Sequence, residues 1–302
     1  MADSIGPVAL TPVVEDAKKA VLRSEDGKGW DWCKEDGTRT PLRGDVRFEN
    51  VDFGYEEGQT ILHDVSLYAK PGQKIAFVGS TGAGKTTICK AIMGLLGNAY
   101  RADGEILFQA ENLLDLPERK RQTIYGKEIC LIMQNPMTAF NPSIRVGRQL
   151  EKTYLLHHGK TPRQEMQGLF VGILQRLGLE DTQRILNSYP FTLSGGMLQR
   201  LMIAAALMCQ PSLLVADEAT TAIDACNRIG LMRELKSFCK DGMSVLFVTH
   251  DLRSASVSDR ILVMDRGRIV EQGKTEQILN TPKEDYTKYL LNACRLERRE
   301  MS

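Results

Sequence analysis

The run Gly79-Ser80-Thr81-Gly82-Ala83-Gly84-Lys85-Thr86-Thr87 fits the pattern G-x-x-x-x-G-K-[ST] at every fixed position. Glycines at these intervals let backbone N–H groups turn inward around phosphate oxygens, and a following helix adds the partial positive charge of its N-terminus. Lys85 would reach the outer phosphates, and the Thr86 hydroxyl would be a ligand of the Mg²⁺ that bridges them. Further on, Ser212-Leu213-Leu214-Val215-Ala216-Asp217-Glu218 is an apolar run closing on two acids. Burial makes adjacent carboxylates costly, and a metal nucleotide offsets that cost. Asp217 fits the position that holds Mg²⁺ through its water shell, and Glu218 fits a general base that polarises an attacking water. Gln134 follows a third apolar run and His250 a fourth, so Gln134, Asp217, Glu218 and His250 are expected to converge on a γ-phosphate. Ser194-Gly195-Gly196, ahead of Met197-Leu198-Gln199-Arg200, reads by itself as a helix cap, but its company gives it a second reading as a phosphate-binding helix start. Tyr55 is the sort of turn aromatic on which a purine base can stack.

The elements that would position these groups are legible as periodicities. Residues 74–78 form a short apolar run suited to a buried parallel strand, and Ile88, Ala91, Ile92, Leu95 and Leu96 recur after the glycines at helical spacing. Residues 46–53 and 61–69 alternate, as half-buried antiparallel strands do; 104–108, 129–133 and 244–248 read as further strands. From 143 to 186 the pattern is helical. There Thr161-Pro162 marks a helix start, Met166, Leu169, Phe170, Ile173, Leu174 and Leu177 form one stripe, and Gly178 marks the end. Another helix is expected from Ser194 through Met208. Residues 1–44 are polar and read as a poorly ordered tail in which only 15–22 could make a short helix, with Trp30 and Trp32 expected to pack back on the domain.

Composition narrows the classes. The chain is long enough for one large domain with a subdomain or for two domains. Lys plus Arg at 39 against Asp plus Glu at 38 gives a net charge of +1, which argues against nucleic acid as the main partner. The seven cysteines include no C-x-x-C pair, so neither a disulfide framework nor a zinc site is expected and a reducing cytosol fits. The N-terminus lacks the pattern of a signal peptide, and no run approaches 18 apolar residues, so the chain is not expected to span a membrane.

Taken together, the lysine loop, Gln134 loop, Ser194 signature, acidic strand and His250 resemble, in order, the motifs of the ATP-binding cassette (ABC) ATPases over about residues 45–290. The resemblance implies an α/β P-loop fold: a mixed, mostly parallel sheet core, an antiparallel β subdomain and an inserted α-helical subdomain over about 135–205, followed by a C-terminal tail at 291–302. It implies that Tyr55 stacks on adenine and that Gly79 to Thr87 hold ATP and Mg²⁺. Gln134 would sense Mg²⁺ and a transmembrane partner, Glu218 would be the base and His250 the γ-phosphate switch. Ser194, Gly195, Gly196 and Gln199 would grip the ATP of an opposite subunit, with Asp224 in the dimer-contacting loop. Partners implied are a second cassette and transmembrane permease subunits, with a substrate-binding protein acting indirectly, at the cytoplasmic face of the cell membrane.

Two branches of that family are visible. From about residue 88 onward, segments such as Gln134-Asn135-Pro136-Met137-Thr138-Ala139-Phe140-Asn141-Pro142 and Ile269-Val270-Glu271-Gln272-Gly273 are similar to nickel and oligopeptide importer subunits. Residues 24–87, with Phe53-Gly54-Tyr55 and Lys70-Pro71-Gly72-Gln73-Lys74, are similar to multidrug-exporter cassettes, and Ala219 is exporter-like too. Only Cys294 lies beyond Lys240, whereas peptide importers usually carry a cysteine-rich C-terminal segment, which favours nickel over peptides. The expectation is an ATPase subunit of an importer. The alternatives are a fragment of a multidrug-type exporter or a poorly active regulatory mosaic.

Overall fold

The computed structural model describes residues 21–23, 30–33, 39–41, 44–54, 60–96, 101–219, 225–239 and 242–300. Near the N-terminus, β1 (Val21–Arg23), β2 (Trp30–Cys33) and β3 (Arg39–Pro41) pair as a three-stranded antiparallel sheet. This corrects the reading of 1–44 as a tail whose only regular element is a helix over 15–22, since Val21 and Leu22 lie in β1 opposite Trp32 and Asp31. The alternating aromatics of Trp30-Asp31-Trp32-Cys33 favour a strand, a local preference that the polar composition around them obscured. Where the two indole rings pack lies outside the described residues.

The next strands are β4 (Val46–Gly54), β5 (Thr60–Ala69) and β6 (Lys74–Val78), and the glycine loop then leads into α1 (Lys85–Ile92). β7 (Arg101–Phe108), β8 (Glu111–Asn112), α2 (Glu118–Ile124) and β9 (Ile129–Ile132) follow. A helical region then holds α3 (Val146–His158), α4 (Arg163–Arg176), α5 (Thr182–Asn187) and α6 (Gly195–Met208). The chain continues through β10 (Leu213–Asp217), α7 (Ala225–Phe238), β11 (Ser244–Val248) and α8 (Leu252–Ala255). It ends with β12 (Arg260–Asp265), β13 (Arg268–Lys274), α9 (Thr275–Asn280) and α10 (Asp285–Glu300). Of the tail expected at 291–302, the described residues through Glu300 are thus helical, and Leu290, Leu291 and Cys294 pack against the core.

The main sheet has the order β13-β12-β6-β11-β10-β9, with five strands parallel and β13 antiparallel at one edge. A separate antiparallel sheet runs β5-β4-β7-β8. Both faces of the parallel strands are covered, which is why their sequences are continuously apolar. Ala76, Val78, Leu214, Ala216, Val245 and Phe247 point into a core shared with α3, α4 and α6; Ile75, Phe77, Leu213, Val215, Leu246 and Val248 face the core under the antiparallel sheet. The stripe on α4 is buried at Met166, Phe170, Ile173 and Leu174, and the helix starts one residue later than expected, with Pro162 as its N-cap.

Lys74 is an exception among these apolar residues. It is fully buried, and its Nζ donates to the Met232 carbonyl in α7 at 2.7 Å. Burial pulls its pKa down from 10.5 to about 8, with Cys239 and Asp259 opposing and Lys236 adding to the shift. Between pH 8 and 10.5 the unfolded chain holds a proton that the fold has released, so this group's contribution to stability rises with pH across that window; the burial cost is fully present below it. Lys74→Met is therefore expected to stabilise the protein by about 1–2 kcal/mol at pH 7, the relieved burial cost less one lost hydrogen bond. Urea unfolding should show that advantage vanishing by pH 10; a destabilised variant at pH 7 would contradict it.

Candidate functional site

Four neighbouring parallel strands, β6, β11, β10 and β9, end at the same edge of the sheet, where ligands of open α/β sheets bind. From β6 comes the glycine loop, from β11 His250, from β10 Asp217 and Glu218, and from β9 Gln134. Residues that are 131 positions apart thereby meet: the Thr86 hydroxyl donates to Asp217 Oδ1 at 3.1 Å. Gln134 Nε2 donates to Glu218 Oε2 at 2.7 Å, and His250 Nδ1 lies 3.4 Å from Glu218 Oε1. Glu218 itself sits in the left-handed region at φ 49°, with its N–H donating to the Val248 carbonyl at 3.1 Å. A non-glycine residue held there is the kind of local strain that accumulates at functional sites.

Lys85 is nearly buried, and its Nζ donates to the carbonyls of Gly79 (2.8 Å) and Ser80 (2.7 Å). Burial lowers its pKa, against the opposing charges of Glu218 and Asp217. Burial raises the pKa of Asp217, as does the neighbouring Glu218 charge, while the Thr86 hydrogen bond and Lys90 and Lys85 oppose. The loop's shape needs its glycines at two points. A Cβ on Gly79 would lie 2.2 Å from the Met264 carbonyl oxygen, and Gly84 has φ 93° with Leu62 Cδ2 2.8 Å from where its Cβ would be. Thr81 and Gly82 stay exposed, so the loop is open to a ligand. The turn carrying His250 is fixed by Asp251, which accepts from the Arg253 N–H (2.9 Å), Ser254 Oγ (2.9 Å) and Arg228 (3.2 Å). Burial pushes the Asp251 pKa up, but these bonds and the Arg228 charge outweigh it and leave the carboxyl below its usual value.

Hydroxyl and carboxylate oxygens in contact at Thr86 and Asp217, beside the Gln134 amide, are the hard donors that suit Mg²⁺ completed by phosphate and water. The structure thus brings together Lys85, Thr86, Gln134, Asp217, Glu218 and His250. Ser194 is the N-cap of α6, where its hydroxyl accepts the Met197 N–H at 3.3 Å. It is exposed, with the amides of the first turn of a 14-residue helix beside it. Gln199 is a correction: it is fully buried on α6, so its amide cannot reach a nucleotide on another subunit. The helical period that exposes Ser194 turns position 199 into the core. Tyr55 and Asp224 lie outside the described residues. Tyr286 was not anticipated, and its hydroxyl accepts the Ser80 N–H at 3.1 Å. No local pattern marks a tyrosine for contact with a loop 206 positions away.

Residues 62–221 match the family described as ABC transporter. The chain is 38% identical to the metal-staphylopine import system ATP-binding protein CntD of Staphylococcus aureus, over 78% of this chain and 87% of the relative. It is 35% identical to the oligopeptide transport ATP-binding protein OppD of Salmonella typhimurium, over 86% and 79%. Among solved structures, the dimeric post-hydrolysis state of the ATP-binding cassette MJ0796, bound to ADP and Pi, superposes with a TM-score of 0.67 at 28% identity, covering 76% of this chain and 98% of that one.

Proposed function

Because the chain belongs to the ABC transporter family, as an ATP-binding, ATP-hydrolysing cassette, we propose that it powers an importer for nickel or another metal ion, or for oligopeptides, through separate transmembrane subunits. The observation that carries this reading is the Gln134–Glu218–His250 cluster beside the Thr86–Asp217 pair, at the edge where the glycine loop ends. In the proposed cycle Lys85 leaves the Gly79 and Ser80 carbonyls for phosphate oxygens. Glu218 accepts a proton from the attacking water, and His250 holds the γ-phosphate oxygens in line. Mg²⁺, held by Thr86 and Gln134 and through water by Asp217, would supply neutralisation of the phosphate charge. A second cassette completes the site by presenting Ser194, Gly195 and Gly196 to the same nucleotide.

Among the described residues no helix is long and apolar enough to cross a membrane; in this reading the chain is a peripheral subunit at the cytoplasmic face, joined to its permeases by contact alone. The helical region offers a docking surface for permeases: Ile144, just before α3, and Phe191 are exposed, Tyr189 and Phe191 stack at 5.6 Å, and Arg145 lies over Tyr189. Such a patch of large apolar side chains marks an interaction site. Affinity purification of the tagged chain from solubilised membranes of its host should yield polytopic permease subunits, and Phe191→Asp should lower their recovery several-fold with ATP binding unchanged. A chain found only in the soluble fraction, with no permease, would reject the transport reading.

A further inference from the structure

The C-terminal helix reaches the glycine loop through a defined series of contacts. Glu271 on β13 is nearly buried, and its two carboxylate oxygens accept the N–H groups of Lys283 (2.8 Å) and Glu284 (3.2 Å). Those amides immediately precede α10, so Glu271 fixes where that helix begins. Tyr286, its second residue, packs its ring against the core, which aims the hydroxyl at Ser80. Ser80 is consequently held on both sides: its carbonyl accepts from Lys85 Nζ at 2.7 Å, and its N–H donates to Tyr286 at 3.1 Å.

These two restraints differ in what nucleotide does to them. Lys85 holds Ser80 only until its ammonium is drawn to phosphate, whereas the Tyr286 hydroxyl is an uncharged acceptor that a phosphate does not draw away. We propose that Tyr286, set by Glu271, is a positioning residue for phosphate binding, holding the first turn of the glycine loop in place when Lys85 lets go. The inference rests on the reading that this loop binds nucleotide phosphates. Without that tether the exposed segment at Ser80, Thr81 and Gly82 would be ordered at the expense of binding affinity. One neutral hydrogen bond corresponds to about a two- to tenfold change in affinity.

Tyr286→Phe removes the hydroxyl and keeps the ring. With the full chain and Mg²⁺ present, binding of trinitrophenyl-ATP, read by fluorescence, should weaken about three- to tenfold, and binding of trinitrophenyl-adenosine should stay within twofold. The KM for ATP should rise by the same factor with kcat within twofold, and the melting temperature without nucleotide should hold. Glu271→Gln, which leaves one acceptor where there were two, should weaken trinitrophenyl-ATP in the same direction, and adding it to Tyr286→Phe should cost no more than the larger single effect, as for residues acting in series. Equal losses for the triphosphate and the nucleoside would assign Tyr286 to packing alone and overturn the proposal. Unchanged trinitrophenyl-ATP affinity in Tyr286→Phe would overturn it as well. If the unaltered chain binds trinitrophenyl-ATP and Lys85→Ala does not, such a result sinks only the role of Tyr286; if the unaltered chain binds none, the nucleotide reading itself fails.

Discussion

Glu218→Gln is expected to lower ATP turnover by about 10² to 10⁴ while leaving nucleotide binding intact. The amide keeps the length of the side chain and one oxygen to accept from Gln134, which lies 2.7 Å from Glu218 Oε2, but it has no basic oxygen to take a proton from water. The strained φ of 49° is a backbone property that glutamine can share, so folding should be little affected. Burial raises the Asp217 pKa and the Glu218 charge adds to that, so removing the carboxylate should let Asp217 titrate at lower pH in the variant. ATP should then accumulate in a stable dimer, visible by size-exclusion chromatography. Turnover near that of the unaltered chain, in a preparation free of contaminating ATPase, would remove Glu218 from the role of base.

A second large effect is expected from mixing two inactive variants. Lys85→Ala removes the ammonium now seated on the Gly79 and Ser80 carbonyls, and Ser194→Arg places a bulky cation at the exposed start of α6. Each alone should abolish nearly all hydrolysis. If nucleotide is sandwiched between one chain's glycine loop and the other chain's Ser194, a mixed dimer has one site with both defects and one site with neither, so part of the activity should return. Ser194 is exposed at the start of α6, bonded to the Met197 N–H of its own helix, and a helix start with glycines at 195 and 196 can offer amides to a phosphate. With subunit exchange verified, recovery close to zero would end the shared-site arrangement for a homodimer. A chain that pairs with a different cassette needs one substitution on each partner.

The phosphate loop, the strands 74–78 and 244–248, and the helix from Ser194 to Met208 could be read from the chain because each is a local matter: glycine spacing, an unbroken apolar run, a cap followed by a 3.6-residue period. That acids and amides should stand at strand ends was legible for the same reason, since each follows directly on its apolar run. What locality cannot encode is which strand lies beside which. Only the order β6-β11-β10-β9 places His250 and Gln134 on the two oxygens of Glu218, and Thr86 on Asp217, because those contacts depend on pairing between segments separated by 32 to 131 positions. The same limit explains the misreadings. The strands at Val21 and Trp30 are stabilised by pairing with each other, and Tyr286 meets Ser80 only after Glu271 has fixed the start of its helix; Gln199 differs, since the helical phase that turns it into the core is itself local. The sequence by itself determined the chemistry available at each strand end; the tertiary structure decided which groups share a hydrogen bond, because long-range pairing and helix docking are set by burial summed over the whole core and not by any one segment.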